Sequence, residues 1–375
     1  MTVSILYADA MTCLGCGEAL FQSLLAGKSG LRPATEAFPN TSGIEHGGQV
    51  GVLADVLGNQ RVPKIFELAF GKIVPDIFFE SEMVIGACSL GDLTGEHAGN
   101  PRLALMQQLR LHWPKRKIFP PTTLISNACS SGTDALIMAT QAVQSGLADI
   151  VSVIAFDSLE PGKLIQHIAL GTQSRDRAKP FDANRNGTSF GEGLAVIIVA
   201  SDQGRARLGW NAIASVAGFG MTCDAYDIAA PFPDGQYAAR AISAAIAAVN
   251  INTVGYINAH GSGTPLNDAA ECAALHRALG AGAQHVNVGS TKGALGHTLG
   301  ATGLVESVVA VNSLRANIYP PTAGLQELDP TLALNVLKQA TLRDCSHEYV
   351  LSVTFGFGGV NSAVLLGAVS CLQKT

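Results

Sequence analysis

Apolar residues in this chain come in uninterrupted runs rather than strict alternation. DIVSVIAFD (149–157) and GLAVIIVAS (193–201) are apolar at almost every position. A strand apolar on both sides is covered on both sides, so each predicts a strand buried in a layered α/β fold. HVNVGST (285–291), MVIGACSLGD (83–92) and Tyr256 to Ala259 read as further strands, and residues 1–10 as an opening one. Helical spacing appears in ALFQSLLAG (19–27), which stops at Gly27, and in PRLALMQQLRLH (101–112), which starts at Pro101. The Ala-rich QYAARAISAAIAAVN (236–250) predicts a long helix. YVLSVTFGFGG and NSAVLLGAV predict paired strands around a glycine turn, and the Gly-, Pro- and polar-rich residues 28–60 predict loops with a short helix.

One pattern occurs twice. A strand over 122–128 leads through small residues into a helix over 132–146. A strand over 285–290 leads through a glycine-rich loop into a helix over about 301–316. This predicts two similar α/β halves packed together, with chemistry at their junction.

Composition narrows the class. The chain has 375 residues, 47% hydrophobic and 14% charged, enough for a large core of two domains or one duplicated unit. A net charge of −5 gives no bulk attraction to nucleic acid or an anionic membrane. MTVSILYADAMT has no basic segment before its apolar run and is not expected to be a signal peptide. Residues 349–373 are uncharged, but glycines interrupt them, and a spanning helix needs about 20 apolar residues in a row. The protein is expected to be soluble. The cysteines at 13, 16, 88, 129, 223, 272, 345 and 371 are scattered, so reduced thiols are expected. Cys13 and Cys16 form a lone CxxC without a second pair, and no metal site is expected. The basic run Lys115, Arg116, Lys117 reads as a solvated loop rather than a patch for an acidic partner.

The candidate chemistry centres on TTLISNACSSGTDA (122–135). An apolar strand ends there, capping residues begin a helix, and Cys129 lies between. A cysteine beside a helix N-terminus has N–H groups and the positive dipole end next to it, which is expected to lower its pKa. Cys129 is therefore a candidate nucleophile; a buried structural cysteine is the alternative. Three further stretches offer partners. YINAHGSGTPLNDAAE (256–271) presents His260 at a strand end, with Pro265 stopping the pairing and a helix from Asp268. GSTKGALGHTLGATGLVE (289–306) places Lys292 and His297 five residues apart in a loop whose glycines 293, 296, 300 and 303 are expected to let the backbone approach a ligand. The lysine should keep His297 neutral, as a hydrogen-bond donor, and Glu306 supplies a counter-charge. TFGFGGVNSA (354–363) forms a turn at Gly356, Gly358 and Gly359. Its N–H groups could complete an oxyanion hole with that of Cys129, and Phe357 could swing as a gate.

These motifs together resemble the β-ketoacyl synthases of the thiolase superfamily, above all the fatty-acid ketosynthase II type and the type II polyketide ketosynthases. The resemblance rests on NACSSG, NAHGSGTPLND, STKGALGHTLGATGLVE, FGFGGVN and KPFDANRNGTSFGEG (179–193) in that family's order and spacing, and runs from about residue 80 to the end. A weaker match is AMTCLGCGEALFQSLLAGKSGL. The chain departs from the family in SILYADAMT, where an apolar strand ending in Thr-Gly is usual, and in a shorter region between 30 and 80. It also departs at Asn186, Gly263 and Val360.

The resemblance implies a thiolase-like fold of layered αβαβα architecture. One half, 1–205, would carry Cys129; the other, 206–375, would carry His260, Lys292, His297 and the GFGG loop. It implies an acyl-enzyme on Cys129 and decarboxylative condensation with a malonyl thioester. His260 and His297 would hold the enolate, and the N–H groups of Cys129 and Phe357 the oxyanion. Lys292 would act electrostatically, with Glu306 supporting it. It implies no cofactor or metal, an acyl carrier protein as partner, a cytoplasmic location, and a homodimer or a heterodimer with a chain-length-factor-like subunit. A non-catalytic chain-length-factor-like subunit and a CoA-dependent thiolase-type acyltransferase are the alternatives.

Overall fold

The computed structural model describes residues 3–45, 47–56, 61–93 and 97–370. Met1 and Thr2 of the expected first strand, and Cys371, lie outside the described residues. The longer elements run β1 (Val3–Thr12), α1 (Gly17–Leu25), α2 (Arg61–Lys72), β2 (Met83–Ala87), α3 (Pro101–His112), β3 (Thr122–Ile125), α4 (Ser131–Gln144), β4 (Ile150–Asp157), α5 (Pro161–Ala169) and β5 (Gly193–Ala200). A second series follows: β6 (Ala214–Cys223), α6 (Gln236–Ile246), β7 (Val254–Asn258), α7 (Pro265–Leu279), β8 (Asn287–Gly289), α8 (Thr302–Ala316), β9 (Tyr349–Gly356) and β10 (Val360–Gly367).

These strands lie in one sheet, ordered β8-β7-β9-β10-β6-β1-β5-β4-β2-β3. β6 and β1 join antiparallel at the centre. Outward from that join, both sides repeat one pattern. The next two pairings are antiparallel, β1/β5/β4 and β6/β10/β9. The last two are parallel, β4/β2/β3 and β9/β7/β8. The chain is thus two copies of one five-stranded unit. Helices α4 and α8 lie against each other and against strands of both halves, while α2 and α3 cover one outer face and α6 and α7 the other. The result is a five-layered αβαβα architecture.

The uninterrupted apolar runs follow from this layering. In β4, Ile150, Ile154 and Phe156 join the outer cluster with Ile65, Phe66, Leu105 and Leu109 of α2 and α3. Val151, Val153 and Ala155 point the other way, into the central cluster with α4 and α8. A strand sandwiched by two helix layers has no wet face, so period-2 alternation still operates but between two apolar sides. The central helix α8 is likewise buried almost all round.

Three elements lacked a sequence signal. β6 carries Gly218 and Gly220, which weaken a strand pattern. They are required because the carbonyls of Ala245 and Ala241 in α6 lie where a Cβ would project. α2 and α5 each contain a helix-weakening residue in their first turn, Pro63 and Gly162. One expectation is corrected in detail: Pro265 starts α7 at its first position, three residues earlier than expected, with Thr264 accepting from the Asn267 N–H at 3.3 Å. Among the described residues no helix is long and apolar enough to cross a membrane, and the seven described cysteines are free thiols.

The central helices cross where neither has a side chain. A Cβ at Gly132 of α4 would lie 2.7 Å from Leu304 N, and one at Gly303 of α8 would run into Thr133. Gly303→Ala is therefore expected to destabilise the protein by about 1–3 kcal/mol through overpacking. Gly71→Ala, on the exposed side of α2 with open space around the new methyl, is expected to stabilise it by up to about 1 kcal/mol. Urea unfolding midpoints of the two variants check this; similar midpoints would contradict the tight crossing.

Candidate active site

The helix crossing brings the N-terminal ends of α4 and α8 side by side, and the candidate residues gather there. Cys129 sits in the turn between β3 and α4. The preceding Ala128 is held at φ +49°, a left-handed conformation unusual for a residue with a Cβ. The turn is pinned by side chains. The Asn127 N–H donates to Ser131 Oγ at 2.8 Å, and Ser131 Oγ donates to the Ala128 carbonyl at 2.7 Å. The buried carboxylate of Asp134 accepts from Asn127 Nδ2 at 2.7 Å, from Ser130 Oγ at 2.9 Å and from Ser362 Oγ at 2.5 Å. Asp134 therefore ties the cysteine turn to β10 in the other half. Nothing local in the sequence marks Asp134 for this role, because Ser362 is remote in the chain.

His260 follows β7. Its backbone N–H and that of Gly261 each donate to the Glu271 carboxylate at 2.7 Å. Its carbonyl accepts from Lys292 Nζ at 2.5 Å, and the same ammonium donates to Glu306 Oε1 at 2.5 Å. Lys292 and Glu306 form a fully buried ion pair, so Lys292 is not a surface charge. His297 is held on both sides of its backbone. Its N–H donates to the Ser189 carbonyl at 2.6 Å, and its carbonyl accepts from Gly191 N at 2.9 Å. Its Nδ1 accepts from the Leu299 N–H at 3.0 Å. That bond assigns the ring proton to Nε2, so His297 is a donor. The two imidazole centroids are 5.3 Å apart, edge to face.

Both rings are neutral near pH 7. Burial pushes the His260 and His297 pKa values well below the usual imidazole range, and the Lys292 charge pushes both further down. The expectation for Cys129 fails. Enclosure by the cavity walls outweighs the Lys292 charge and the Phe357 N–H that donates to the sulfur, and the thiol is pushed up to about 11. A helix end alone does not overcome desolvation here.

A second expectation is also corrected. Of the glycines at 293, 296, 300 and 303, only Gly296 has a positive φ, +74°. The other three make room for protein rather than ligand: a Cβ would strike the Ala323 carbonyl from Gly293, the Cys88–Ser89 backbone from Gly300, and Thr133 from Gly303. The GFGG turn is as expected, with Gly358 and Gly359 at φ +81° and +79° and a 3.1 Å bond from Gly359 N to the Gly356 carbonyl. A Cβ at Gly356 would lie 3.4 Å from Cys129 N, so glycine leaves that N–H uncovered.

A cavity of about 280 Å³ opens onto Cys129, His260, His297, Phe355, Gly356 and Phe357. Lys292 and Glu306 stand behind it. The lining also includes His167 and Thr172, which sequence reading missed. The signal was faint: a histidine in the last turn of a helix that itself went unrecognised. A second missed group is Asp157, at the end of β4. Its carboxylate accepts from Gly300 N at 3.0 Å, Ser89 N at 2.8 Å and Lys163 Nζ at 2.7 Å. It thereby anchors the turn that follows His297.

The raised thiol pKa sets a pH dependence. Iodoacetamide alkylation of Cys129, followed by intact mass, is expected to accelerate about tenfold per pH unit between roughly pH 7 and pH 9, without a plateau. A plateau near neutral pH would mean a stabilised thiolate and would contradict this.

Family models and relatives agree on one assignment. A model described as "Beta-ketoacyl synthase, N-terminal domain" matches residues 119–204, and one described as "Beta-ketoacyl synthase, C-terminal domain" matches residues 213–326. Together they cover more than half of the chain. The tetracenomycin polyketide synthase ketoacyl synthase alpha subunit of Streptomyces glaucescens is 37% identical over 255 residues, 66% of this chain and 60% of that protein. The 3-oxoacyl-[acyl-carrier-protein] synthase 2 of Mycobacterium bovis is 35% identical over 251 residues, 64% of this chain and 60% of that protein. The chain thus aligns with about 60% of the length of these relatives. In three dimensions the chain resembles a type II polyketide synthase ketosynthase solved with its acyl-carrier protein. The TM-score is 0.84 at 24% identity, covering 98% of this chain and 99% of that one. A ketosynthase solved with its chain length factor, from Xenorhabdus doucetiae, has a TM-score of 0.81 at 23% identity, covering 98% of each chain. At such identities these structures speak to the fold, and the fold, the two domain models and the sequence relatives agree: the chain belongs to the β-ketoacyl synthase family.

Proposed function

We propose that this protein is a β-ketoacyl-[acyl-carrier-protein] synthase of fatty-acid or type II polyketide biosynthesis. The observation that carries this reading is the convergence of Cys129 and two neutral imidazoles on one cavity, with Lys292 buried behind them. Cys129 attacks the carbonyl carbon of an acyl thioester, its proton passes to the departing carrier thiol, and an acyl-enzyme remains. A malonyl thioester then enters. Its carboxylate leaves as CO2, and the electron pair of the broken C–C bond becomes an enolate. His260 and His297 hold the enolate oxygen with N–H donors; the Leu299 bond to Nδ1 supports this for His297. The enolate carbon attacks the acyl-Cys129 carbonyl, whose oxygen is held by the Cys129 and Phe357 N–H groups. The thiolate then departs.

Lys292 acts through its field and through its bond to the His260 carbonyl, with Glu306 as its counter-ion. Phe357 is a gate between Gly356 and Gly358. The donor substrates are carried by an acyl carrier protein, in line with the neighbour solved in complex with one. The protein works in the cytoplasm as a homodimer or beside a chain-length-factor-like subunit.

Intact-mass measurement after incubation with acyl-carrier thioesters tests the reading. Wild type is expected to gain the acyl mass and Cys129→Ala to gain none. His297→Ala is expected to retain acylation but to lose malonyl decarboxylation by about a hundredfold or more. No acylation of wild type, with candidate partner subunits present, would favour a non-catalytic subunit instead.

A further inference from the structure

The cavity wall facing the GFGG turn contains a third imidazole that the mechanism does not use. α5 delivers His167 in its last turn. The ring stacks on Phe190 at 3.8 Å and 23° and lies 5.8 Å from the Phe357 ring. Phe190 in turn stacks on His297 at 5.7 Å. His167 is therefore one aromatic ring away from both the oxyanion turn and a candidate catalytic imidazole. Its ring neighbours, Phe190 and Phe357, are apolar, while the cavity as a whole is mixed, with Leu170, Pro231 and Phe355 beside Thr188, Asp227 and Asn267.

The ring is fixed and half used. Nδ1 is 3.1 Å from Thr172 Oγ1, and the Thr172 hydroxyl also donates to the His167 carbonyl at 3.2 Å. Nε2 has no hydrogen bond to any described residue. Burial and the nearby Lys163 charge push the ring's pKa down to about 4, so it is neutral at physiological pH. Before an acyl chain enters the cavity, water can serve this imidazole edge; an alkyl chain that displaces that water leaves Nε2 without a replacement.

We propose that His167 makes this cavity selective for acyl chains carrying a hydroxyl group close to the thioester, over unsubstituted alkyl chains. A hydroxyl both donates and accepts, so it satisfies Nε2 in either ring tautomer. An alkyl chain of the same length fills the space but leaves Nε2 unpaired. The inference rests on the condensing-enzyme reading, because that reading places an acyl chain in the cavity.

Binding separates the two claims. Calorimetry on the Cys129→Ala protein would use pantetheine amide analogues, with nitrogen replacing the thioester sulfur, bearing 3-hydroxyoctanoyl or octanoyl chains. The hydroxylated analogue is expected to bind about ten- to a hundredfold more tightly. Adding His167→Leu should erase that ratio, and adding His167→Gln, which keeps a hydrogen-bonding group, should preserve much of it. Equal affinities in the parent protein, or a ratio unchanged by His167→Leu, would overturn the proposal. So would an equal loss for both analogues, which would assign His167 to the shared pantetheine arm. Selective binding in a protein that acyl thioesters never acylate at Cys129 would support the site while refuting the condensing activity.

Discussion

The site depends on one contact, the crossing of α4 and α8 at Gly132 and Gly303. Backbone meets backbone there because neither residue has a Cβ. Each helix begins beside a loop of the candidate site: α4 directly after the Cys129 turn, α8 shortly after the His297 turn. Moving the helices apart by the width of a methyl group would separate sulfur from imidazole. The neighbouring Thr133–Thr354 hydroxyl bond of 2.9 Å and the Asp134–Ser362 bond hold the same junction to β9 and β10. Interior packing transmits such shifts because it has few voids to absorb them.

Two buried ion pairs lie near that crossing. Lys292–Glu306 and Lys163–Asp157 are both sealed from solvent. Each would be costly if one partner were removed. Both pairs also hold backbone near a histidine. Lys292 grips the His260 carbonyl, and Asp157 grips the Gly300 N–H next to Leu299, whose own N–H sets the His297 tautomer. The ion pairs thus act on the candidate histidines through main-chain atoms.

Much of this was legible in the sequence, and the reason is locality. The Cys129 turn, the His260 strand end and the GFGG turn are each defined by residues adjacent in the chain. The buried strands were legible because helix layers on both sides demand apolar residues throughout. What failed to show depends on distant segments. The Cys129 pKa was expected to fall because the helix end is local, and it rises because the enclosing walls come from elsewhere. The glycines after Lys292 were read as room for a ligand, and three of them make room for Ala323, Ser89 and Thr133. His167 gains its meaning only from Phe190 and Phe357, which α5 does not contain. β6 hid behind two glycines whose purpose lies in α6.

The burial of Lys292 has a further consequence. Mobile ions screen buried charges much less than exposed ones, and Lys292 and Glu306 are sealed behind the cavity wall. The field that Lys292 exerts on the two imidazoles is therefore set mainly by fixed protein atoms and responds only weakly to the ionic composition of the medium. The candidate site thus keeps most of its internal electrostatics between dilute and salty media, for as long as the fold itself persists.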